Sequence, residues 1–191
     1  MVSRTEDTHI KFPFAFGFIQ VRDLAFVCGG RVGHPFTGMA LATNFALRKN
    51  CNILMLKSMY YSRGGLAATS LRNRFIYATG GSNKEYLSVC ERYDINTNNW
   101  ESLPSLTECR GYHTVTSIQN KFLYAFCGWN GIDDLASVER CQWGADQWET
   151  VELVGISPLW RKRSYIRSLS MLGPGPQTER GGVGVAEESE N

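Results

Sequence analysis

The 191-residue sequence predicts an all-β chain of repeated antiparallel units, the layout of a solenoid or propeller, from three observations. The first is a period. Arg63, Asn73, Phe75, Tyr77 and Gly81 each recur 47 positions later, as Arg110, Asn120, Phe122, Tyr124 and Gly128. Past the glycines the offset is 48, which pairs Glu91-Arg92 with Glu139-Arg140 and Trp100 with Trp148, so one residue has entered the loop between. The second is composition: 43% hydrophobic residues, 12% aromatics and nineteen glycines suit short strands joined by tight turns. The third is that short β-forming runs within each period are cut by Asn- and Gly-centred turns.

The recurring residues resemble those of the Kelch repeat. That pattern has an Arg before the first strand, an Asn-centred turn, an aromatic strand ending in Gly-Gly, a Glu-Arg-Tyr-Asp strand, and a Trp about six residues on. Ile76 to Gly81, Glu91-Arg92-Tyr93-Asp94 and Trp100 match it closely. The second copy departs from it, with Cys127 in the first Gly slot and Cys141 in the Tyr slot, yet keeps Tyr124, Gly128, Glu139-Arg140 and Trp148. The resemblance implies a Kelch-type β-propeller, here incomplete, with about three four-stranded antiparallel blades. It also implies that Gly29, Gly30, Gly80, Gly81, Tyr93, Trp100, Gly128 and Trp148 are structural repeat residues.

Taken in order, residues 1–11 are polar and read as a flexible N-terminus. Kelch repeats are expected over residues 12–156, in blades of roughly 12–59, 60–106 and 107–153. The first blade is the weakest copy. Its apolar run Leu24 to Cys28 closes on Gly29-Gly30, with Phe14 to Ile19 expected as the strand before it and Gln20 to Asp23 as the turn. It has Thr43-Asn44-Phe45-Ala46-Leu47 in place of Glu-Arg-Tyr-Asp, and Ile53 where a Trp is expected.

Turn residues cut the second copy into strands at Leu66 to Leu71, Phe75 to Thr79, Ser88 to Asp94 and Asn99 to Leu103. The third divides into His113 to Ile118, Phe122 to Cys127, Ser137 to Trp143 and Gln147 to Val151. Arg72-Asn73-Arg74, Asn96-Thr97-Asn98 and Gln119-Asn120-Lys121 read as turns, where Asn tolerates left-handed backbone. Residues 157–172 read as the start of a further blade that Gly173-Pro174-Gly175-Pro176 interrupts. Residues 173–191 have too little apolar content to offset the entropy of ordering and read as a disordered tail.

Closed propellers have about four to eight blades, because each blade buries its faces only against neighbours. Three copies leave three readings: a partial or truncated gene product without autonomous function, copies that pair through an unpaired blade face, or an open stack.

Chemistry is sparse. The cysteines at 28, 51, 90, 109, 127 and 141 form no Cys-x-x-Cys and read as reduced, buried thiols, which fits a cytoplasmic or nuclear setting. A formal charge of +2 gives no case for nucleic acid or an anionic membrane as main partner. His9, His34 and His113 lie apart, His113 reading as a hydrogen-bonded structural residue. Asp133-Asp134 and Glu85 lack the alternating acids and Gly of a calcium loop. No catalytic set, metal or cofactor is expected, and a propeller-type enzyme is the remote alternative. The basic run Trp160 to Arg163, with Arg167, reads as a solvated segment or a targeting signal.

The resemblance implies instead a non-enzymatic protein-interaction module. Such modules hold partners in the loops between the second and third strands, here 31–40, 82–87 and 129–135, and between blades, here 59–64 and 106–112. The candidate contacts are Arg31, His34, Lys84, Glu85, Tyr86, Trp129, Asn130, Asp133 and Asp134. Tyr86 and Trp129 lead, since aromatic loop residues offer large rigid area. Arg63 and Arg110 recur in register and read as blade braces. By resemblance the partner is a protein of the kind such modules bind, a ubiquitin-ligase substrate or an actin-related protein. The ligase role belongs to a longer parent protein carrying a BTB domain.

Overall fold

A computed structural model describes residues 13–34, 38–50 and 52–152. The expected flexible N-terminus, further blade, basic run and disordered tail therefore lie outside the described residues. Sixteen strands and no helix make up the described chain.

The first four-stranded sheet contains β1 (Gly17–Val21), β2 (Leu24–Cys28), β5 (Asn44–Leu47) and β6 (Ile53–Leu56), with β3 (Arg31–Val32) and β4 (Met39–Ala40) pairing separately in its loop. The second contains β7 (Ala67–Leu71), β8 (Phe75–Thr79), β11 (Cys90–Asp94) and β12 (Asn99–Leu103), with the small pair β9 (Ser82–Asn83) and β10 (Glu85–Tyr86). The third contains β13 (Thr114–Ile118), β14 (Phe122–Phe126), β15 (Val138–Gln142) and β16 (Glu149–Val151). All pairings are antiparallel and follow chain order within each sheet, so each sheet is a blade, and β7 packs between β1 and β13. This is an incomplete β-propeller whose described sheets do not close into a ring.

Several register positions adopt the same backbone conformation in all three sheets. The position closing the second strand is left-handed in Gly29 (φ 61°), Gly80 (φ 56°) and Cys127 (φ 56°). Glycine is required at the first two: a Cβ would come within 2.6 Å of the Arg63 carbonyl oxygen at Gly29 and 2.2 Å of that of Arg110 at Gly80. A crossover carbonyl seated as these two are would collide with the Cβ of Cys127.

Ahead of each inner strand stands another left-handed residue, Ala15, Gly65 or Tyr112. These are tied from sheet to sheet, the Gly65 N–H donating to the Ala15 carbonyl at 2.7 Å and the Tyr112 N–H to the Gly65 carbonyl at 2.7 Å. The hairpin turns at Arg72-Asn73 and Gln119-Asn120 have positive φ at both central residues, the type I′ geometry that matches strand twist.

Apolar side chains of alternate register fill the space between sheets. Ile19, Val21, Phe26, Cys28 and Ala46 of the first meet Leu66, Ile76, Ala78, Tyr93 and Trp100 of the second. Ala67, Leu71, Tyr77 and Cys90 on its other side meet Val115, Leu123, Ala125, Cys141 and Trp148 of the third. Trp143 completes that second junction, packed 4.9 Å from the Phe75 ring, with the Arg92 guanidinium 4.6 Å from its own centroid. The indole N–H of Trp100 donates to the Lys57 carbonyl at 2.8 Å and that of Trp148 to Pro104 at 3.1 Å, so both buried tryptophans satisfy their polar atom.

Several details differ from the sequence expectation. The first strand is Gly17–Val21 rather than Phe14 to Ile19, because Gly17, Ile19 and Val21 alternate inward while Phe14 feeds the crossover and bridges Arg31. Its hairpin is correspondingly shorter, Val21 pairing with Leu24 across Arg22-Asp23. The 31–40 and 82–87 loops contain short strand pairs, and the outer strand of the third sheet shortens to Glu149–Val151.

Candidate functional site

The loops between second and third strands, and the crossovers between sheets, meet on one rim. Behind Gly29-Gly30, Gly80-Gly81 and Cys127-Gly128 the chain bridges the incoming crossover: Phe14 with Arg31, Gly64 with Ser82, Gly111 with Trp129. Side chains then link neighbouring loops. Arg31 donates to the Gly38 carbonyl at 2.7 Å and, across the junction, to the Ser82 carbonyl at 2.8 Å and hydroxyl at 2.7 Å. Asn83 donates to the Ser62 hydroxyl at 2.8 Å. The Tyr86 ring spans the next junction, where a Cβ on Gly111 would lie 2.8 Å from it and one on Gly131 3.0 Å. The three loops are one continuous surface.

Two buried ion pairs hold the crossovers beneath it. The Arg63 side chain reaches into the second sheet, pairing with Glu91 and donating to the Val89 carbonyl at 2.6 Å and the Gly80 carbonyl at 3.1 Å. Its backbone N–H and carbonyl are bonded to Leu41 and Gly30 of the first sheet. Glu91 also accepts from the Tyr60 N–H at 2.6 Å. Arg110 repeats the arrangement one sheet on, bonding Glu139 at 2.5 Å and the Cys127 carbonyl at 2.7 Å, with Glu139 accepting from Thr107 N–H at 2.6 Å. All four charged side chains are fully buried, and each Arg staples one sheet to the next. Burial pulls the Arg63 pKa down, and the Glu91 charge opposes that pull.

Most candidate contacts fall on the rim, but not all are available to a partner. Arg31, expected to meet a partner's acids, is buried and braces two loops; directly after Gly30 its side chain lies along the junction instead of outward. Tyr86 and Trp129 are half-buried, Tyr86 in inter-sheet packing and Trp129 with its backbone bridged to both Gly111 and Asp134. Asn130 shapes the loop tip, its side-chain oxygen accepting from the N–H groups of Ile132 at 2.8 Å and Asp133 at 2.7 Å. His34, Lys84, Glu85 and Asp133 are exposed, and Asp134 is half-buried.

Sequence reasoning passed over the two most exposed large apolar residues of these loops. Ile132 is 80% exposed at the tip that Asn130 shapes, and Met39 is 68% exposed in β4. The signal for Ile132 was present, an apolar residue set between Gly131 and Asp133 in a polar turn.

Cysteine, histidine and acidic side chains are spread through the described residues. No group of three or more His, Cys, Asp or Glu side chains among them is arranged to hold a metal ion. Burial pushes the thiols of Cys28 and Cys90 up to about 12, so neither supplies a thiolate near neutral pH. His113 is buried, bonded to the Thr79 hydroxyl at 2.9 Å, and held down to about 3 by burial, with the Arg110 and Arg63 charges adding to the effect. It is neutral at physiological pH. Among the described residues no helix is long and apolar enough to cross a membrane.

Comparison with known proteins agrees with this geometry. Residues 62–107, which run from the end of the first crossover through the whole second sheet, match the model of the Kelch motif family. No curated protein matches the chain.

Proposed function

Since the chain is a Kelch-repeat protein, we propose that it is a non-enzymatic interaction module that binds another protein through the rim built by residues 31–40, 82–87 and 129–135. The continuity of that rim carries the reading. Arg31, Asn83 and Tyr86 lock three loops from three sheets into one surface, so a partner meets a preorganised patch and orders little on binding. The patch is of mixed character: Met39 and Ile132 offer exposed apolar area on the two outer loops, and Lys84 and Glu85 are exposed on the loop between them. Protein interfaces combine apolar and polar contacts in this way.

Kelch-repeat proteins are generally interaction modules, and the buried, unreactive state of Cys28, Cys90 and His113 favours that role over catalysis. The test is affinity capture from cell extract with the chain and with a Met39→Asp/Ile132→Asp variant. Both positions are exposed, so the melting curve is expected to stay unchanged while the captured proteins are lost. Identical capture by both forms would exclude this rim as the binding surface.

A further inference from the structure

The outer strands of the three sheets protect their free edges differently. In the second sheet, β12 carries Glu101 paired with Arg92, and the outward carbonyl of Trp100 is taken by the Tyr60 hydroxyl at 2.7 Å. In the third, β16 is three residues long and carries Glu149 paired with Arg140. Short, charged or capped edges keep a sheet from adding a further strand. The outer strand of the first sheet, β6, reads Ile-Leu-Met-Leu and has none of these devices. Ile53 is 37%, Leu54 41% and Met55 59% exposed, so both faces of the strand are open to solvent.

The register shows which backbone groups are available. The Arg48 N–H donates to the Asn52 carbonyl at 3.0 Å, and antiparallel partners alternate between bonded and non-bonded pairs. With Leu47 opposite Ile53, Ala46 opposite Leu54 and Phe45 opposite Met55, Leu54 and Leu56 bond inward to β5. Ile53 and Met55 therefore turn their N–H and C=O outward. Lys57, next in that series, has its N–H taken by the Asn98 side chain at 3.0 Å, which ends the open edge.

Charge selects the occupant. Arg48, Lys49 and Asn50 are exposed at the start of β6 and, with Asp23 and Leu24, line an open depression of roughly 560 Å³, where two cations stand against one acid. Lys57 follows the strand at its other end. An antiparallel β6 of a second copy would bring its Lys57 toward Arg48 and Lys49, like charge against like. An antiparallel peptide with apolar side chains at alternating positions and carboxylates at its C-terminal end meets the same groups favourably.

We propose that β6 is a second interaction site, an open strand edge that takes up an extended, acid-ended peptide of a partner protein by strand addition at Ile53 and Met55. The site is independent of the loop rim. The probe is a fluorescein-labelled peptide of alternating valine and threonine ending in two glutamates, followed by anisotropy.

Saturable binding is expected, weakened about tenfold by Met55→Pro, which removes an outward donor without touching the ladder to β5. Met55→Glu, at an exposed position, sets a carboxylate near the probe's glutamates, is expected to weaken binding about threefold and serves if the proline variant melts early. Lysines in place of the glutamates are expected to cost about threefold, the scale of exposed ion pairs. A peptide N-methylated at alternate amides is expected not to bind. Equal binding to wild type, Met55→Pro and Met55→Glu, or no binding to the wild-type chain, overturns the proposal. So does a free protein that sediments as a dimer and is dissociated by either variant, because the edge then belongs to a second copy. Capture through Met39 and Ile132 is expected to be the same in the Met55 variants, which separates failure here from failure of the loop-rim reading.

Discussion

The first sheet and the two that follow share a backbone plan but hold it by different means. At the crossover, four residues before each inner strand, stand Pro13, Arg63 and Arg110. Opposite, one residue inside each third strand, stand Phe45, Glu91 and Glu139. Two junctions are thus pinned by a buried Arg-Glu pair with carbonyl acceptors around it, while the first sheet carries an apolar Pro and Phe at the same two places, Phe45 being buried. Both members of the pair are exchanged together. That is the expected course, since one charge left without the other in a dry site is costlier than either complete arrangement.

The largest effects are therefore expected from splitting a pair. Arg63→Met leaves Glu91 fully buried with only the Tyr60 N–H to bond, and Glu91→Leu leaves Arg63 with carbonyls alone. Each is expected to cost about 3 to 5 kcal/mol in denaturant melts. The double variant, which imitates the first sheet's apolar solution, is expected to recover at least half of the combined loss. It does not recover everything, because the Gly80 and Val89 carbonyls lose a donor. Strict additivity of the two losses would mean that Arg63 and Glu91 are not coupled.

A second contrast lies at the outer strand, where Ile53 pairs with Leu47 at the register at which Trp100 pairs with Tyr93. Trp100 is buried between sheets, its ring centroid 5.2 Å from that of Tyr93, and Trp100→Ala is expected to destabilise by roughly 3 to 5 kcal/mol. Ile53→Ala removes a side chain already 37% in solvent and is expected to cost less than about 1 kcal/mol. Similar losses at both positions would place Ile53 in a packed junction and close the edge on which strand addition at β6 depends.

These pairs explain what could be read from the chain beforehand. The second and third sheets were legible because their buried charges, glycines and tryptophans are rare residues forced by one geometry, so they recur in register. The first sheet was only half legible. Its Gly29-Gly30 answers to the same carbonyl of the next crossover, but apolar substitutes for Arg and Glu look like any apolar residue, and Phe14 to Phe16 read as strand instead of crossover. The rim was legible as a set of loops. Which side chain faces solvent within it was not, because Arg31 and Tyr86 are recruited by the neighbouring sheet, and no pattern within a single repeat records a contact made across a junction.

The two junctions are also set against each other by pH. Leu66 stands directly before the inner strand at the first junction, and His113 takes that place at the second. Unfolded, the imidazole protonates near its ordinary value of 6.5, whereas in the fold it resists protonation down to about 3. Between those values the unfolded chain binds the extra proton, so this contribution is complete above pH 6.5 and is lost as pH falls. At pH 5 the loss is about 2 kcal/mol. Asp94, held down to about 2 chiefly by its hydrogen bond from Arg74, weakens the fold only on further acidification, below its ordinary 3.8. His113→Leu, which gives the second junction the residue of the first, is expected to flatten the stability profile between pH 6.5 and 4 while leaving the lower limb in place. A slope unchanged in that variant would assign the acid sensitivity to another group and leave the two junctions equivalent in their response to protons.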